Sequence, residues 1–167
     1  LEQADQRGFR VPAVTLKGLD ELVKARCWAN DVCLRNSIRT GGFEWEERVI
    51  TAFEKLENAP PHLPQESETP NIAWDKAHEA FHAALLSASG SSWIEDFCAK
   101  TFVAGERYRH AARDPAASSW TRRDEHRKIK DAALARRGRE AVELLCEHFR
   151  KTARLVREAL RAGLKTG

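Results

Sequence analysis

The chain has 167 residues, which is enough for one domain with a substantial hydrophobic core. Its hydrophobic fraction of 42%, charged fraction of 32% and net charge of +3 are ordinary for a globular protein and include no basic block typical of nucleic-acid binding. No apolar run approaches the length of a membrane span, and no signal peptide is visible. We therefore expect a cytoplasmic protein that makes no contact with membranes.

The N-terminal segment differs from the rest of the chain. Residues 6–12 combine a turn signal with a short extended piece, and no convincing strand follows them. The chain begins at Leu1 and contains no methionine, which predicts a fragment of a longer protein. We predict that residues 1–13 are the end of a preceding domain with its linker, and that residues 14–167 form one helical domain.

Most of the chain shows the periodicity of helices. Six segments carry apolar residues at helical spacing, and they are residues 16–39, 43–57, 71–89, 92–110, 121–136 and 139–162. Residues 58–70 hold four of the six prolines and predict a loop. The fold class that this pattern predicts is all-α, an antiparallel bundle of about six helices.

The four cysteines, by contrast, show no spacing that suggests a site. They are Cys27, Cys33, Cys98 and Cys146, and no two of them form a C-x-x-C pair. We therefore predict small buried residues in a reducing compartment rather than a disulfide or zinc framework.

A pair of histidines on the third predicted helix is the strongest functional signal. His78 and His82 are four residues apart, so both imidazoles project from one face, at the edge of an apolar stripe. His126 and His148 follow on later helices, each directly after a glutamate. Because facing helices of a bundle commonly build metal sites, we predict that the four histidines meet in the core, where they could hold one metal ion. The spacing alone leaves open that they are ordinary packed or solvated residues.

Three stretches, in order, resemble the FCD domain, which is the ligand-binding domain of the FadR subfamily of GntR transcription regulators. The stretch QRGFRVPAV resembles the last strand of the family's winged helix-turn-helix domain and the start of its linker. The other two are similar to the family's D-x-x-F-H and E-H-x-x-I segments, and they read HEAFHAALLSASGSSW and DEHRKIKDAALARRGREAVELLCEH. Arg26 falls at the position of the family's first-helix arginine. The dicarboxylate- and glutarate-type regulators look most similar.

This resemblance implies a ligand set. The family's three metal-binding histidines fall on His82, His126 and His148, and its aspartate falls on His78. Four neutral imidazoles would favour Zn²⁺ or Ni²⁺ over harder ions. The alternative is that His78 is not a ligand, which would leave three histidines and open positions on the ion. The family usually binds small carboxylates, since a metal and an arginine together recognise an acid group well. The candidate effector-binding residues are Arg26, Arg35, Arg107 and Tyr108.

The resemblance further implies a homodimeric bacterial repressor or activator. Its N-terminal winged helix-turn-helix, of which only the tail is present, would bind operator DNA. The present domain would dimerise and would bind the metal and the effector, with no enzymatic activity.

Two other functions stay open. The string H-E-x-x-H is typical of zinc metallopeptidases, with His78 and His82 as ligands and Glu79 as the general base, although the chain lacks the strands that normally flank such a helix. Alternatively, the metal could be purely structural and contribute only folding free energy.

Overall fold

The structure, a computed structural model, describes residues 14–60, 62–63, 66–112 and 120–163. Six α-helices make up most of this described chain: α1 Leu16–Thr40, α2 Phe43–Asn58, α3 Ile72–Leu86, α4 Ser92–Ala112, α5 Trp120–Leu134 and α6 Gly138–Gly163. Each helix lies within a few residues of a predicted segment, and the predicted all-α class is confirmed. The predicted domain end at residues 1–13 lies outside the described residues.

Side-chain caps fix where two of the helices begin. Thr15 precedes α1, and its hydroxyl accepts a hydrogen bond from the amide of Gly18 at 3.1 Å. Asn71 precedes α3, and its side-chain oxygen accepts from the amide of Ala73 at 3.0 Å. The side-chain nitrogen of Asn71 also donates to the carbonyl of Pro60 at 2.7 Å. This second bond ties the start of the histidine-bearing helix to the chain just beyond α2.

The segment between α2 and α3 is not a plain loop, so that prediction was wrong in part. Its backbone forms two short antiparallel strands, β1 His62–Leu63 and β2 Glu66–Pro70. The four prolines of the segment stand before β1, between the strands and at the last position of β2. At those positions the missing N–H group interrupts little of the ladder, so a proline-rich stretch can still form a hairpin.

The core lies between α1 and the helices around it. Helix α1 packs against α4 and α6, while α2 packs against α3 and α5 packs against α6. The large apolar residues that are essentially inaccessible to solvent are Leu34, Trp45, Val49, Phe81, Leu85, Ile129 and Leu145. Because α3, α5 and α6 all contribute to this core, the polar residues on their inner faces are brought together inside the bundle.

Two predictions from composition are tested directly. The four cysteines are buried and free, as the spacing predicts. Among the described helices, none combines the length and the apolar character that crossing a membrane requires.

Candidate metal centre and adjoining cavity

Four histidines from three helices converge in the interior of the bundle. His78 and His82 lie on α3, His126 on α5 and His148 on α6. One nitrogen of each imidazole lies within 4.8 Å of a nitrogen of every other, and each residue is at most 5% exposed. We call these four residues the imidazole cluster. The structure thus brings together all four residues that the sequence predicts as metal ligands, at a spacing that could hold one ion.

The apolar face of α3 fixes the orientation of its two histidines. Trp74 lies one turn before His78 and stacks on its ring, with centroids 4.7 Å apart. Phe102 of α4 packs against both rings, with centroids 5.3 Å from His78 and 5.2 Å from His82. The Nε2 atoms of His78 and His82 lie 3.1 Å apart. Both side chains therefore present a ring nitrogen to the same point.

His148 is oriented by an acid from a neighbouring helix. Its Nδ1 lies 2.9 Å from Oε2 of Glu125, and Lys151 donates to the other oxygen of the same carboxylate. Burial alone would raise the pKa of Glu125, but the hydrogen bonds from His148 and Lys151 outweigh burial and hold that pKa below its usual range. An ionised Glu125 places the His148 proton on Nδ1, which leaves Nε2 as the nitrogen with a lone pair.

The α3 histidines are neutral at physiological pH. Burial, reinforced by the neighbouring imidazoles, lowers the pKa of His78 and of His82 well below the usual 6.5. The Nδ1 atom of His78 is buried without a hydrogen-bond partner among the described residues, and the nearest carboxylate oxygen, from Glu106, is 3.9 Å away. Neutral imidazoles are the form that binds metals, so this donor set fits a divalent ion.

A second group of possible ligands lies on α3 and α4. It consists of Asp75, Glu106 and His110, together with Arg109, and we call it the acid–arginine cluster. Arg109 donates to Asp75 and to Glu106, each at 2.5 Å. Burial alone would lower the pKa of Arg109, but these two carboxylates outweigh burial and raise that pKa above its usual value. Arg109 thus already supplies the positive charge that these acids require.

A cavity of about 250 Å³ adjoins the imidazole cluster, and His82 lies in both. Arg26 of α1 is a buried part of its lining, with the guanidinium carbon 3.9 Å from the ring centroid of Phe149 and 5.6 Å from that of Phe102. Its Nε is buried without a hydrogen-bond partner among the described residues. Burial lowers the pKa of Arg26 to about 10, so the side chain keeps its charge at neutral pH. A buried cation beside a possible metal is suited to an anionic ligand.

The other predicted effector-binding residues lie elsewhere. Arg35 is exposed on α1 and pairs with Asp31. Tyr108 packs with the small apolar cluster around Leu19 and Val156, near the ends of α1 and α6. Arg107 is partly exposed on α4. None of these three lines the described cavity, and their assignment to an effector stays a prediction.

Sequence reasoning missed three residues that support the site. Glu125 holds His148, and Glu106 stands nearest to Nδ1 of His78. A Cβ atom on Gly105 would lie 2.5 Å from Nη1 of Arg26, so only glycine gives that guanidinium its present room. A glycine inside a predicted helix was the available signal, because such a residue usually has a packing reason. No spacing rule could have paired Glu125 with His148, which lies 23 residues further on.

Comparison with known proteins agrees with the fold. The family model described as the FCD domain matches residues 21–151. The chain therefore belongs to the FCD domain family, the effector-binding domains of GntR-type transcription regulators, and the predicted family is confirmed.

Two relatives are themselves regulators rather than enzymes. The chain is 30% identical over 153 residues to the uncharacterised HTH-type transcriptional regulator BphR of Paraburkholderia xenovorans (strain LB400). This alignment covers 92% of this chain and 62% of BphR. It is 27% identical over 171 residues to the HTH-type transcriptional repressor GlaR of Escherichia coli (strain K12), which covers 93% of this chain and 72% of GlaR. The chain thus spans less than two thirds of the length of BphR.

Solved structures share the architecture. A GntR-family regulator from Pseudomonas syringae pv. tomato superposes with a TM-score of 0.75 at 14% identity, covering 98% of this chain and 65% of that one. The metal-free FCD domain of the regulator TM0439 has a TM-score of 0.66 at 20% identity, covering 90% of this chain and 99% of that one. At such identities the likeness shows the fold, and the ligands have to be argued from this chain's own residues.

Proposed function

We propose that this chain is the sensory and dimerisation domain of a GntR/FadR-type transcription regulator, which binds a divalent metal ion and a small carboxylate effector. The observation that carries the proposal is that His82 belongs both to the imidazole cluster and to the wall of the cavity that holds buried Arg26. A carboxylate in that cavity could contact the metal and the guanidinium together. Neither group alone would favour a carboxylate as strongly.

The metal that fits best is Zn²⁺ or Ni²⁺, held by His78, His82, His126 and His148. All four donors are nitrogens of imidazoles, which suit borderline ions better than hard ones. Neutral ligands also leave the full charge of the ion in place. The ion would then supply a strong attraction for an anion in the adjoining cavity, where Arg26 adds its own charge.

The rest of the regulator completes the proposed mechanism. An N-terminal winged helix-turn-helix, ending near residue 13, would bind operator DNA, and residues 14–167 would sense the effector. A homodimer is supported by large apolar side chains on the outside of two adjacent helices, with Trp28 of α1 72% exposed and Trp93 of α4 86% exposed. The effector would act by binding more tightly to one arrangement of the two DNA-reading heads than to the other.

Elemental analysis tests the metal assignment. The wild-type chain should contain about one divalent ion, and His82→Ala and His148→Ala should both lose it, because two distant helices supply these ligands. Asp75→Asn is the matched control, since it removes a possible ligand that lies outside the imidazole cluster. Loss of the metal in His82→Ala with full retention in His148→Ala would instead favour the H-E-x-x-H arrangement. If the wild-type chain contains no metal after incubation with Zn²⁺ and with Ni²⁺, the metal assignment is wrong.

The alternative of a purely structural ion is separated by a second measurement. Carboxylate titration of the metal-loaded chain should produce a binding isotherm that Arg26→Met abolishes while the metal content stays constant. If chelation unfolds the chain and no small carboxylate binds, the ion is structural and the sensory proposal fails.

A further inference from the structure

We propose that the effector of this site is a carboxylate that carries a positively charged amino group at its far end, rather than a dicarboxylate. This inference rests on the proposed function, because it assumes that the metal and Arg26 hold one carboxylate. It concerns the opposite end of the cavity, where the charges are reversed.

The buried, inner part of the cavity lining is cationic. Arg26 is 9% exposed, its Nε has no hydrogen-bond partner among the described residues, and Phe102 and Phe149 lie against its guanidinium. His82 brings the imidazole cluster to the same wall. A carboxylate placed here would satisfy a buried donor and would be screened from water by two aromatic rings.

The outer end of the cavity is acidic. Glu79 and Asp96 line it and are exposed to solvent, and Glu95 lines it and is partly exposed. Glu79 comes from α3, whereas Glu95 and Asp96 come from α4, so acids from two helices border one opening. We call these three residues the acidic mouth. One oxygen of Glu95 accepts from Ser89 at 2.6 Å, which leaves its other oxygen to interact with a ligand.

No cation of the lining balances these acids. Apart from His82, which is neutral, Arg26 is the single basic side chain among the residues that line the described cavity, and it is buried. Arg48 approaches the rim, but its Nε donates to the hydroxyl of Ser87 at 3.3 Å, and the arginine itself is not part of the wall. A ligand that fills the cavity therefore meets positive charge inside and negative charge at the opening.

This arrangement discriminates between small acids of equal length. A dicarboxylate would place its second negative charge against the acidic mouth. An acid with an amino group at its far end would place an ammonium group there instead. The cavity volume of about 250 Å³ limits the ligand to a short chain of a few carbons. The preference should be about tenfold, because exposed ion pairs are individually weak but attraction of an ammonium and repulsion of a carboxylate add.

Calorimetric titration of the metal-loaded chain with glutarate, 5-aminopentanoate and pentanoate tests this inference. The three acids share one chain length and differ only in the group at the far end. We expect 5-aminopentanoate to bind about tenfold more tightly than glutarate, with pentanoate between them. The same comparison is made with the corresponding three-, four- and six-carbon acids, because the cavity could prefer a ligand of another chain length.

Charge-neutralising variants locate the effect. The double variant Glu79→Gln/Asp96→Asn changes only exposed side chains, so it should fold normally and should reduce the preference to about twofold or less. Glu54→Gln, an exposed acid on α2 outside the lining, should leave the preference unchanged.

The possible failures are distinguishable. If a dicarboxylate binds more tightly than its amino counterpart at every length, this inference is overturned while the carboxylate-sensing proposal stands. If the amino acid is preferred equally in the wild type and in the double variant, the acidic mouth is not the cause and the inference is also overturned. If no acid of any class binds the metal-loaded chain, both the inference and the proposed function fail.

Discussion

The imidazole cluster and the acid–arginine cluster both include residues of α3, yet they suit different purposes. Each contains several groups that could ligate a metal, and His78 lies between them, 3.9 Å from Glu106. The imidazole cluster is buried and its two α3 ligands are uncharged, so no cation among these ligands takes the place of an ion. The acid–arginine cluster is more exposed, and Arg109 already balances its carboxylates. Proximity of donors is therefore a weaker guide to a metal site than the balance of charge around them.

Removal of the metal is the largest effect that this comparison predicts. If the free ion stands about a thousandfold above its dissociation constant, chelation should lower the free energy of unfolding by about 4 kcal/mol. For a domain of this size that corresponds to a fall in Tm of about 8–16 °C, which differential scanning calorimetry with and without chelator would measure. The chelator effect should vanish in His82→Ala and persist in Asp75→Asn. The reverse pattern would show that the acid–arginine cluster holds the ion.

The metal-free chain should lose stability as the pH falls below about 6.5, because the pKa values of His78 and His82 are lowered by folding. Below 6.5 the unfolded chain binds protons that the folded chain cannot accept, so unfolding becomes easier, whereas above 6.5 neither state binds them and stability is constant. With two such histidines the loss between pH 7.5 and pH 5.5 should be about 2–3 kcal/mol. Urea denaturation at the two pH values measures it.

A double variant checks the source of this pH dependence. His78→Gln/His82→Gln carries no titrating group at these positions, so its free energy of unfolding should change much less between the same pH values. An equal loss in the variant would assign the effect to other groups.

Much of this architecture was accessible from the sequence, for identifiable reasons. The i, i+4 spacing of His78 and His82 and the apolar stripe beside them fixed the face of α3, since helical geometry is local and regular. The partners supplied by tertiary packing could not be predicted in this way. Glu125 meets His148 only because α5 and α6 lie side by side, and the cavity around Arg26 depends on how closely α4 approaches α1. The hairpin after α2 was missed because its prolines suggest a loop unless their positions relative to the strands are known.

Substitution of Arg109 should have a smaller effect on stability and should make the acid–arginine cluster able to bind a cation. Arg109→Met leaves the carboxylates of Asp75 and Glu106 partly buried and without their cation, which should lower the free energy of unfolding by about 1–3 kcal/mol. Added Ca²⁺ or Mn²⁺ should recover part of this stability in the variant and have little effect on the wild type, because hard cations prefer oxygen ligands. Thermal melts across a range of Ca²⁺ concentration measure this. No cation response in the variant would mean that the geometry, and not only Arg109, prevents binding.

Gly105→Ala is the smallest change and separates stability from ligand binding. In an exposed helix the substitution would be favourable by about 1 kcal/mol, since alanine has the higher helix propensity. Here the added Cβ would stand 2.5 Å from Nη1 of Arg26, so the guanidinium has to move within the cavity. We expect carboxylate affinity to fall about tenfold, because a charged hydrogen bond is weakened. Metal content should not change, since Gly105 contacts none of the four histidines in the described structure.

Calorimetric titration measures the carboxylate affinity of the Gly105→Ala variant, and elemental analysis measures its metal content. The matched control is Gly42→Ala, because the added atom there has no neighbour within 4 Å. Equal affinity in both variants would mean that Arg26 does not hold the carboxylate, and the cavity would then have to recognise its ligand through the metal alone.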